Sequence, residues 1–114
     1  MSSEKTQGLL LDILQQIDLA QLFTVGLTEA NFLQTPLHFY ATTRCLEIIS
    51  EASRRLPDEL KSRHPDIEWR DMAGAGNVYR HDYGDVAPRR IWQAVNQALP
   101  LLREAVQAEL GRFG

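Results

Sequence analysis

The segment from residue 73 to residue 86, AGAGNVYRHDYGDV, gathers side chains that could move protons and hold phosphate. The imidazole of His81 titrates near neutral pH, so it could act as a general acid or base. Arg80 beside it could hold a phosphate group through two parallel hydrogen bonds. On a continuous helix, Asn77 and His81 would share one face because they are four residues apart. The segment could therefore be a working site, or a helix C-terminus where Arg80 and His81 complement the helix dipole and Tyr83 packs.

Other kinds of site have less support in the sequence. His38, Cys45, His64 and His81 show none of the ligand spacings of structural zinc sites, so we predict no metal site. The run GAGNVY follows a helical pattern and lacks the third glycine of a dinucleotide-binding fingerprint. Cys45 lies on an apolar helical stripe and is predicted to be a buried, unreactive thiol. Because it is the only cysteine, no intrachain disulfide can form, and a cytoplasmic location is expected.

Length and composition indicate one soluble domain over residues 1–114. The hydrophobic content of 44 % and the charged content of 24 % are ordinary for a globular protein, and no apolar run approaches the length that a bilayer requires. The net charge of −3 gives no indication of nucleic-acid binding. Arginines concentrate between residues 44 and 90, but acidic residues balance them there, which favours a solvated, ion-paired surface over a basic groove.

Apolar residues at helical spacing describe the elements that must position the segment. They predict a helix over residues 6–25 that ends at Gly26, followed by a short helix capped by Thr28. The apolar stripe of the first helix comprises Leu10, Ile13, Ile17 and Ala20, with Leu14 beside them. Thr35 and Pro36 predict the start of a long helix that ends near residue 56. Its apolar stripe comprises Leu37, Ala41, Cys45, Ile48 and Ala52.

The second half of the chain continues the helical pattern. Residues 57–64 predict a short helix, because acidic residues open it and basic residues close it. Trp69, Met72, Gly76 and Tyr79 then follow helical spacing, which places the 73–86 segment on or at the end of a further helix. Pro100 interrupts the last apolar stripe, and we predict a kink or a new helix there. The stripe comprises Trp92, Val95, Leu99, Leu102, Val106 and Leu110.

The predicted fold class is all-α. No segment shows the alternation of polar and apolar residues that is typical of strands, so we predict a bundle of four to five main helices. The apolar faces are wide enough for a partner subunit to share part of the core.

Several segments, in order and spacing, resemble the HepT-like family of the HEPN superfamily, the small helical RNase toxins of type VII toxin–antitoxin systems. RCLEIISEASRRLPDEL is similar to the family's second long helix, HPDIEWRDMAGAGN to the segment before its active site, and VNQALPLLREAV to its C-terminal helix. The family signature is an arginine, four residues, a histidine, one residue and a tyrosine. His81 and Tyr83 match the histidine and the tyrosine, and Asn77 matches the polar residue that usually follows the arginine.

The resemblance implies a metal-independent endoribonuclease that needs no cofactor and acts on RNA as a homodimer. The ribose 2′-hydroxyl would attack the adjacent phosphate, His81 would move a proton, and an arginine would stabilise the developing charge. The implied partner is a minimal nucleotidyltransferase antitoxin, which transfers AMP from ATP to the motif tyrosine, here Tyr83. The attached AMP would bring negative charge and bulk beside His81 and so exclude the RNA backbone.

The sequence departs from the signature at Gly76, which stands where the family has its arginine. Losing one such electrostatic donor typically costs about two to three powers of ten in rate. On a helix, the side chain of Arg80 could reach towards the vacated space. One hypothesis is therefore an RNase toxin whose catalytic site contains His81, Arg80 and Asn77. A second is a catalytically impaired binding subunit for the nucleotidyltransferase, and a third is a nucleotide-binding helical domain that serves the partner's own chemistry.

Overall fold

The computed structural model describes residues 3–72 and 86–113, apart from the side chains of residues 86 and 87. Helices account for most of the described residues, and no β-strand occurs among them. The predicted all-α class is therefore confirmed.

The first two helices begin and end close to where their local sequence predicts. Helix α1 spans Ser3–Thr24, and Gly26 after it has a φ of 77°, which glycine adopts without the steric cost of a Cβ. Thr28 caps helix α2, Glu29–Leu33, because its Oγ1 accepts a hydrogen bond from the backbone N–H of Asn31 at 3.1 Å.

Helix α3 spans Pro36–Arg55 and helix α4 spans Asp58–Ser62. Pro36 is the first residue of α3, as predicted, where the missing N–H of proline costs little. The side chain of Thr35 does not cap α3; its hydroxyl donates instead to the carbonyl of Asn31 at 2.6 Å. Residues 69–72 are again helical.

The C-terminal helix accommodates Pro100 through a π turn. Helix α5, Val86–Gln93, is followed directly by a π turn, Ala94–Ala98, and by helix α6, Leu99–Gly111. Within the π turn, the backbone N–H of Leu99 donates to the carbonyl five residues earlier. A proline ring crowds the preceding α-helical turn, and the wider π turn gives it room. A change of helix type therefore stands where we predicted a kink or a new helix.

The buried face of α3 differs from the predicted apolar stripe. Cys45 and Ala52 are buried as predicted, but Leu37 is 76 % exposed and Ile48 is only half-buried. Helix α3 packs against α1 and also contacts α2 and α5, so its buried face is wide and includes polar positions. Besides Cys45 and Ala52, the buried residues of α3 are Thr42, Leu46, Ile49, Ser50 and Ser53.

The core lies between α1, α3 and the continuous helix from α5 to α6. Helix α1 packs against α3 and α6, while the short helix α2 contacts α3 and α5. None of the helices in the described part of the chain is long and apolar enough to cross a membrane. The predicted stripes of α1 and α6 supply buried residues: Leu10, Ile13, Ile17, Ala20, Val95, Leu99, Leu102 and Val106.

Candidate functional site

The residues predicted to do chemistry lie outside the described residues. These are Asn77, Arg80, His81 and Tyr83, together with Gly76 at the departed signature position. The structure describes the elements on both sides of them, which end at residue 72 and resume at residue 86. The following contacts hold those elements in place.

On the N-terminal side of the segment, Met72 is tied to α3. The hydroxyl of Ser50 donates a hydrogen bond to the backbone carbonyl of Met72 at 2.8 Å, and Ser50 is only 1 % exposed. The indole N–H of Trp69 donates to the carbonyls of His64 at 3.0 Å and Lys61 at 3.1 Å. These bonds join the turn after α4 to the helical residues that precede the candidate site.

Replacing Ser50 with alanine is expected to lower the free energy of unfolding by about 1 kcal/mol, because the carbonyl of Met72, which is part-buried at this contact, loses its donor. Ser53 provides a matched control one turn along α3. It is 0 % exposed, and its hydroxyl has no hydrogen-bond partner among the described residues, so Ser53→Ala is expected to be neutral or stabilising. Urea unfolding of both variants measures the difference. Equal losses in the two variants would contradict this account of the Ser50 contact.

An ion cluster around one buried carboxylate fixes the turn after α4 to the last helix. The carboxylate of Glu109 is 3 % exposed and accepts hydrogen bonds from Arg63, at 2.6 Å from Nη2 and 3.1 Å from Nε. The Nε2 atom of His64 lies 2.6 Å from the same carboxylate. We call Arg63, His64 and Glu109 the α4–α6 clamp. It anchors the residues that lead towards the candidate site onto α6.

The clamp shifts the acidity of its carboxyl group. Hydrogen bonds from Arg63 lower the pKa of Glu109 from its ordinary value of 4.5 to about 2, against the opposing effect of burial and with a further lowering by His64. The same hydrogen bond raises the pKa of the Arg63 guanidinium. A carboxylate with a pKa this low remains ionised at any physiological pH, so the clamp is a permanent ion pair and not a proton donor.

The clamp is not among the features predicted from the sequence. The basic residues at the end of α4 were predicted to complement the helix dipole, whereas Arg63 and His64 reach a carboxylate on α6. One signal was available in the sequence. Glu109 is seven residues after the buried Leu102 and three after the buried Val106, so it falls on the buried face of α6, where a carboxylate requires a partner.

On the C-terminal side of the segment, aromatic packing holds α5. The ring of Trp92 lies 5.4 Å from the ring of Phe32 in α2, centroid to centroid, and Phe32 is itself 6.3 Å from Phe39 in α3. Phe32 and Ile91 are 0 % exposed. Helix α5, which begins three residues after Tyr83 in the sequence, is thus packed into the core.

The single cysteine does not contribute to a reactive site. Cys45 is buried, as predicted, and burial raises the pKa of its thiol. A raised pKa reduces the thiolate fraction, which is the reactive form. Among the described residues, no group of histidine, cysteine, aspartate and glutamate has an arrangement that could hold a metal ion.

Comparison with known proteins assigns the chain to a family. The family model described as Ribonuclease HepT-like matches residues 13–109. A protein of Thermococcus cleftensis named "Probable ribonuclease HepT" is 37 % identical over 92 residues, which cover 81 % of this chain and 84 % of the relative.

Two further relatives carry the name "Putative RNase". One, from Methanocaldococcus jannaschii, is 29 % identical over 94 % of this chain and 98 % of its own length. The other, from Caldanaerobacter subterraneus subsp. tengcongensis, is 32 % identical over 83 % of this chain and 85 % of its own length. No solved structure matches the chain. The described part of the chain is all-helical, as the resemblance implies, and the family model matches most of the chain's length. The chain therefore belongs to the HepT-like ribonuclease family.

Proposed function

We propose that this protein is a metal-independent endoribonuclease and the toxin component of a toxin–antitoxin system. The observation that carries this proposal is the family match over residues 13–109, because it includes the segment with His81 and Tyr83. Two relatives are named "Probable ribonuclease HepT" and "Putative RNase", and these names support the same reaction class. A reducing cytoplasm, where RNA substrates are found, fits a chain with one buried cysteine.

The proposed reaction is a transesterification within the RNA. The ribose 2′-oxygen attacks the adjacent phosphorus, the bond to the 5′-oxygen breaks, and a 2′,3′-cyclic phosphate and a 5′-hydroxyl result. His81 moves a proton in this exchange. Arg80 stabilises the charge on the phosphoryl oxygens, and Asn77 offers an amide to the same group. No metal or cofactor takes part.

The proposed active form is a homodimer in which the two copies of the motif meet. Exposed apolar side chains support an association surface: Leu22, Val25, Leu37 and Tyr40 are each more than 60 % exposed, and soluble monomers seldom expose apolar groups that cluster. His38 joins the elements that carry them, because its Nδ1 lies 2.8 Å from the carbonyl of Phe23 at the end of α1. Light scattering tests this point, since a mass of one chain at assay concentrations would contradict it.

Outside the motif, exposed arginines are available for the RNA backbone. Arg70 precedes the segment and Arg89 follows it, and both side chains are exposed. Guanidinium groups at such positions neutralise phosphates without reading sequence. They would contribute affinity that falls as salt rises.

Neutralisation of the toxin by its antitoxin is proposed to occur at Tyr83. The phenolic oxygen attacks the α-phosphorus of ATP on a nucleotidyltransferase antitoxin, pyrophosphate leaves, and the phenolic proton is released. The product is a phosphodiester between Tyr83 and AMP, whose negative charge would repel the RNA phosphate from His81.

Intact-mass measurement tests the modification. Protein produced together with the nucleotidyltransferase is expected to gain the mass of one or more AMP groups, whereas Tyr83→Phe protein is expected to gain none. Tyr79→Phe is a matched control, because it removes another phenol from the same segment and should leave the mass gain unchanged. A full mass gain in the Tyr83→Phe protein would remove Tyr83 from the role of acceptor.

One sequence feature favours a second candidate function. Gly76 replaces the signature arginine, and a chain without that cation could persist as a catalytically impaired subunit that binds the nucleotidyltransferase. The two functions separate in one assay: purified protein is incubated with a panel of tRNA and mRNA in the presence of a chelator. Cleavage supports the endoribonuclease, and intact RNA supports the impaired subunit.

A further inference from the structure

An apolar cavity lies beside the π turn, on the N-terminal side of the candidate site. It has a volume of about 270 Å³, enough for one large side chain or a short apolar segment. The wall comes from α3, the turn after α4, helical residues 69–72, the π turn and α6. Its apolar lining residues are Leu46, Ile67, Met72, Ala94, Ala98 and Leu101.

The cavity wall is held rigidly. Met72 is bound through its carbonyl to the buried Ser50, and Leu46 and Ile67 are themselves buried. Ala94 and Ala98 are the first and last residues of the π turn, and their small side chains leave the space open. π turns within α-helices occur frequently at functional sites. Leu101 at the margin is 48 % exposed, so an occupant would find apolar surface continuing outside the cavity.

The rim of the cavity is acidic. Asp66, Glu68 and Asp71 line it, and all three side chains are exposed. None of the three forms an ion pair with another residue in the described ranges 3–72 and 86–113. Arg70 is the one basic residue among residues 66–72, so the rim retains a net negative charge. An apolar floor with an acidic rim matches an apolar side chain that basic residues flank.

We propose that this cavity is a docking site for the protein partner, which inserts an apolar side chain flanked by lysine or arginine residues. The inference rests on the proposed function, because it assigns the surface that the nucleotidyltransferase antitoxin recognises. The acidic rim argues against RNA as the occupant, since carboxylates repel phosphates. A partner seated here contacts Met72, the last described residue before the candidate site in the sequence.

Two variants of the cavity test the docking site. Ala98→Leu fills the cavity, and the double variant Asp66→Asn with Asp71→Asn removes two rim charges and keeps the shape. Ala30→Leu adds the same bulk at an exposed position in α2, and Glu4→Gln with Glu29→Gln removes two exposed charges elsewhere. Calorimetric titration with the purified nucleotidyltransferase measures affinity, light scattering measures the mass of the free chain, and thermal melting verifies that each variant is folded.

The expected result is a loss of about tenfold or more in affinity for Ala98→Leu, because an anchor in a central pocket dominates binding. The double Asn variant is expected to bind more weakly at low salt and to show a flatter salt dependence. Both controls should bind like wild type. If wild type does not bind the nucleotidyltransferase, the proposed partnership fails. If wild type and all variants bind equally, only the docking site is overturned, and the proposed function stands.

Two further outcomes would also overturn the assignment. A change in the mass of the free Ala98→Leu chain, without loss of affinity for the nucleotidyltransferase, would make the occupant a second copy of this protein. Weaker binding of RNA by the double Asn variant would make the rim part of the RNA surface. Since removal of carboxylates is expected to strengthen RNA binding slightly or leave it unchanged, the sign of that effect separates the two classes of occupant.

Discussion

His81→Ala is expected to lower the rate of RNA cleavage by about a hundredfold to ten-thousandfold, the range over which a positioned acid or base contributes to catalysis. The transesterification requires a proton to leave the 2′-hydroxyl and a proton to reach the 5′-oxygen. Alanine can do neither, and no other imidazole occurs in the segment from residue 73 to residue 86. The measurement is single-turnover cleavage of a labelled RNA in the presence of a chelator, with circular dichroism to verify that the variant is folded.

The arginine variants test whether Arg80 takes the catalytic role of the signature arginine that Gly76 replaces. Arg80→Ala is expected to lower the rate by about a hundredfold to a thousandfold if Arg80 stabilises the developing charge. Gly76→Arg restores the signature and should then add little to a wild type that already cleaves. An inactive wild type that becomes active as Gly76→Arg would support the impaired subunit instead. Unchanged cleavage by His81→Ala would remove the proposed mechanism altogether.

Acidification is expected to weaken the fold through Glu109. Because the pKa of its carboxyl group is lowered to about 2 in the folded protein, folding favours the ionised form relative to the unfolded chain. The stability from this group is fully present above the unfolded value near 4.5 and is lost as the pH falls from about 5 towards 2. A shift of this size corresponds to roughly 3 kcal/mol in the free energy of unfolding.

Urea unfolding at a series of pH values measures this dependence. Glu109→Gln is expected to lower stability at pH 7 by roughly 3 kcal/mol and to flatten the dependence on pH below 5. Glu104→Gln is the matched control, because Glu104 is an exposed glutamate on the same helix. It should keep both the stability and the acid dependence of wild type. If the acid dependence of Glu109→Gln equals that of wild type, the α4–α6 clamp is not its source.

The clamp also connects stability to the candidate site. It fixes the turn from which residues 69–72 depart, and the hydrogen bond from Ser50 fixes the end of those residues. Together these contacts fix the described residues that precede the segment with His81 and Tyr83 in the sequence, and the aromatic packing of Trp92 fixes the helix that follows it.

Local sequence was sufficient to predict the end of α1 and the starts of α2 and α3. The φ of Gly26, the cap at Thr28 and the start of α3 at Pro36 each depend on atoms within one or two turns of the chain, so short-range patterns identify them. The buried stripes of α1 and α6 were likewise predicted, because strong apolar periodicity determines which face of a helix avoids water. The signature residues were identified in the same way, as neighbours along the sequence, and their roles stay predictions.

Tertiary packing decided which residues from distant parts of the chain come into contact, and sequence spacing does not predict such contacts. Arg63 and Glu109 are 46 residues apart, and only the placement of α4 against α6 makes them a pair. The buried face of α3 includes Thr42 and Ser53 because that helix has several neighbours. The acidic-rimmed cavity is assembled from three separate parts of the chain, at Leu46, residues 66–72 and residues 94–101. Periodicity records the face that a helix buries, but the partner on that face depends on how the helices pack in three dimensions.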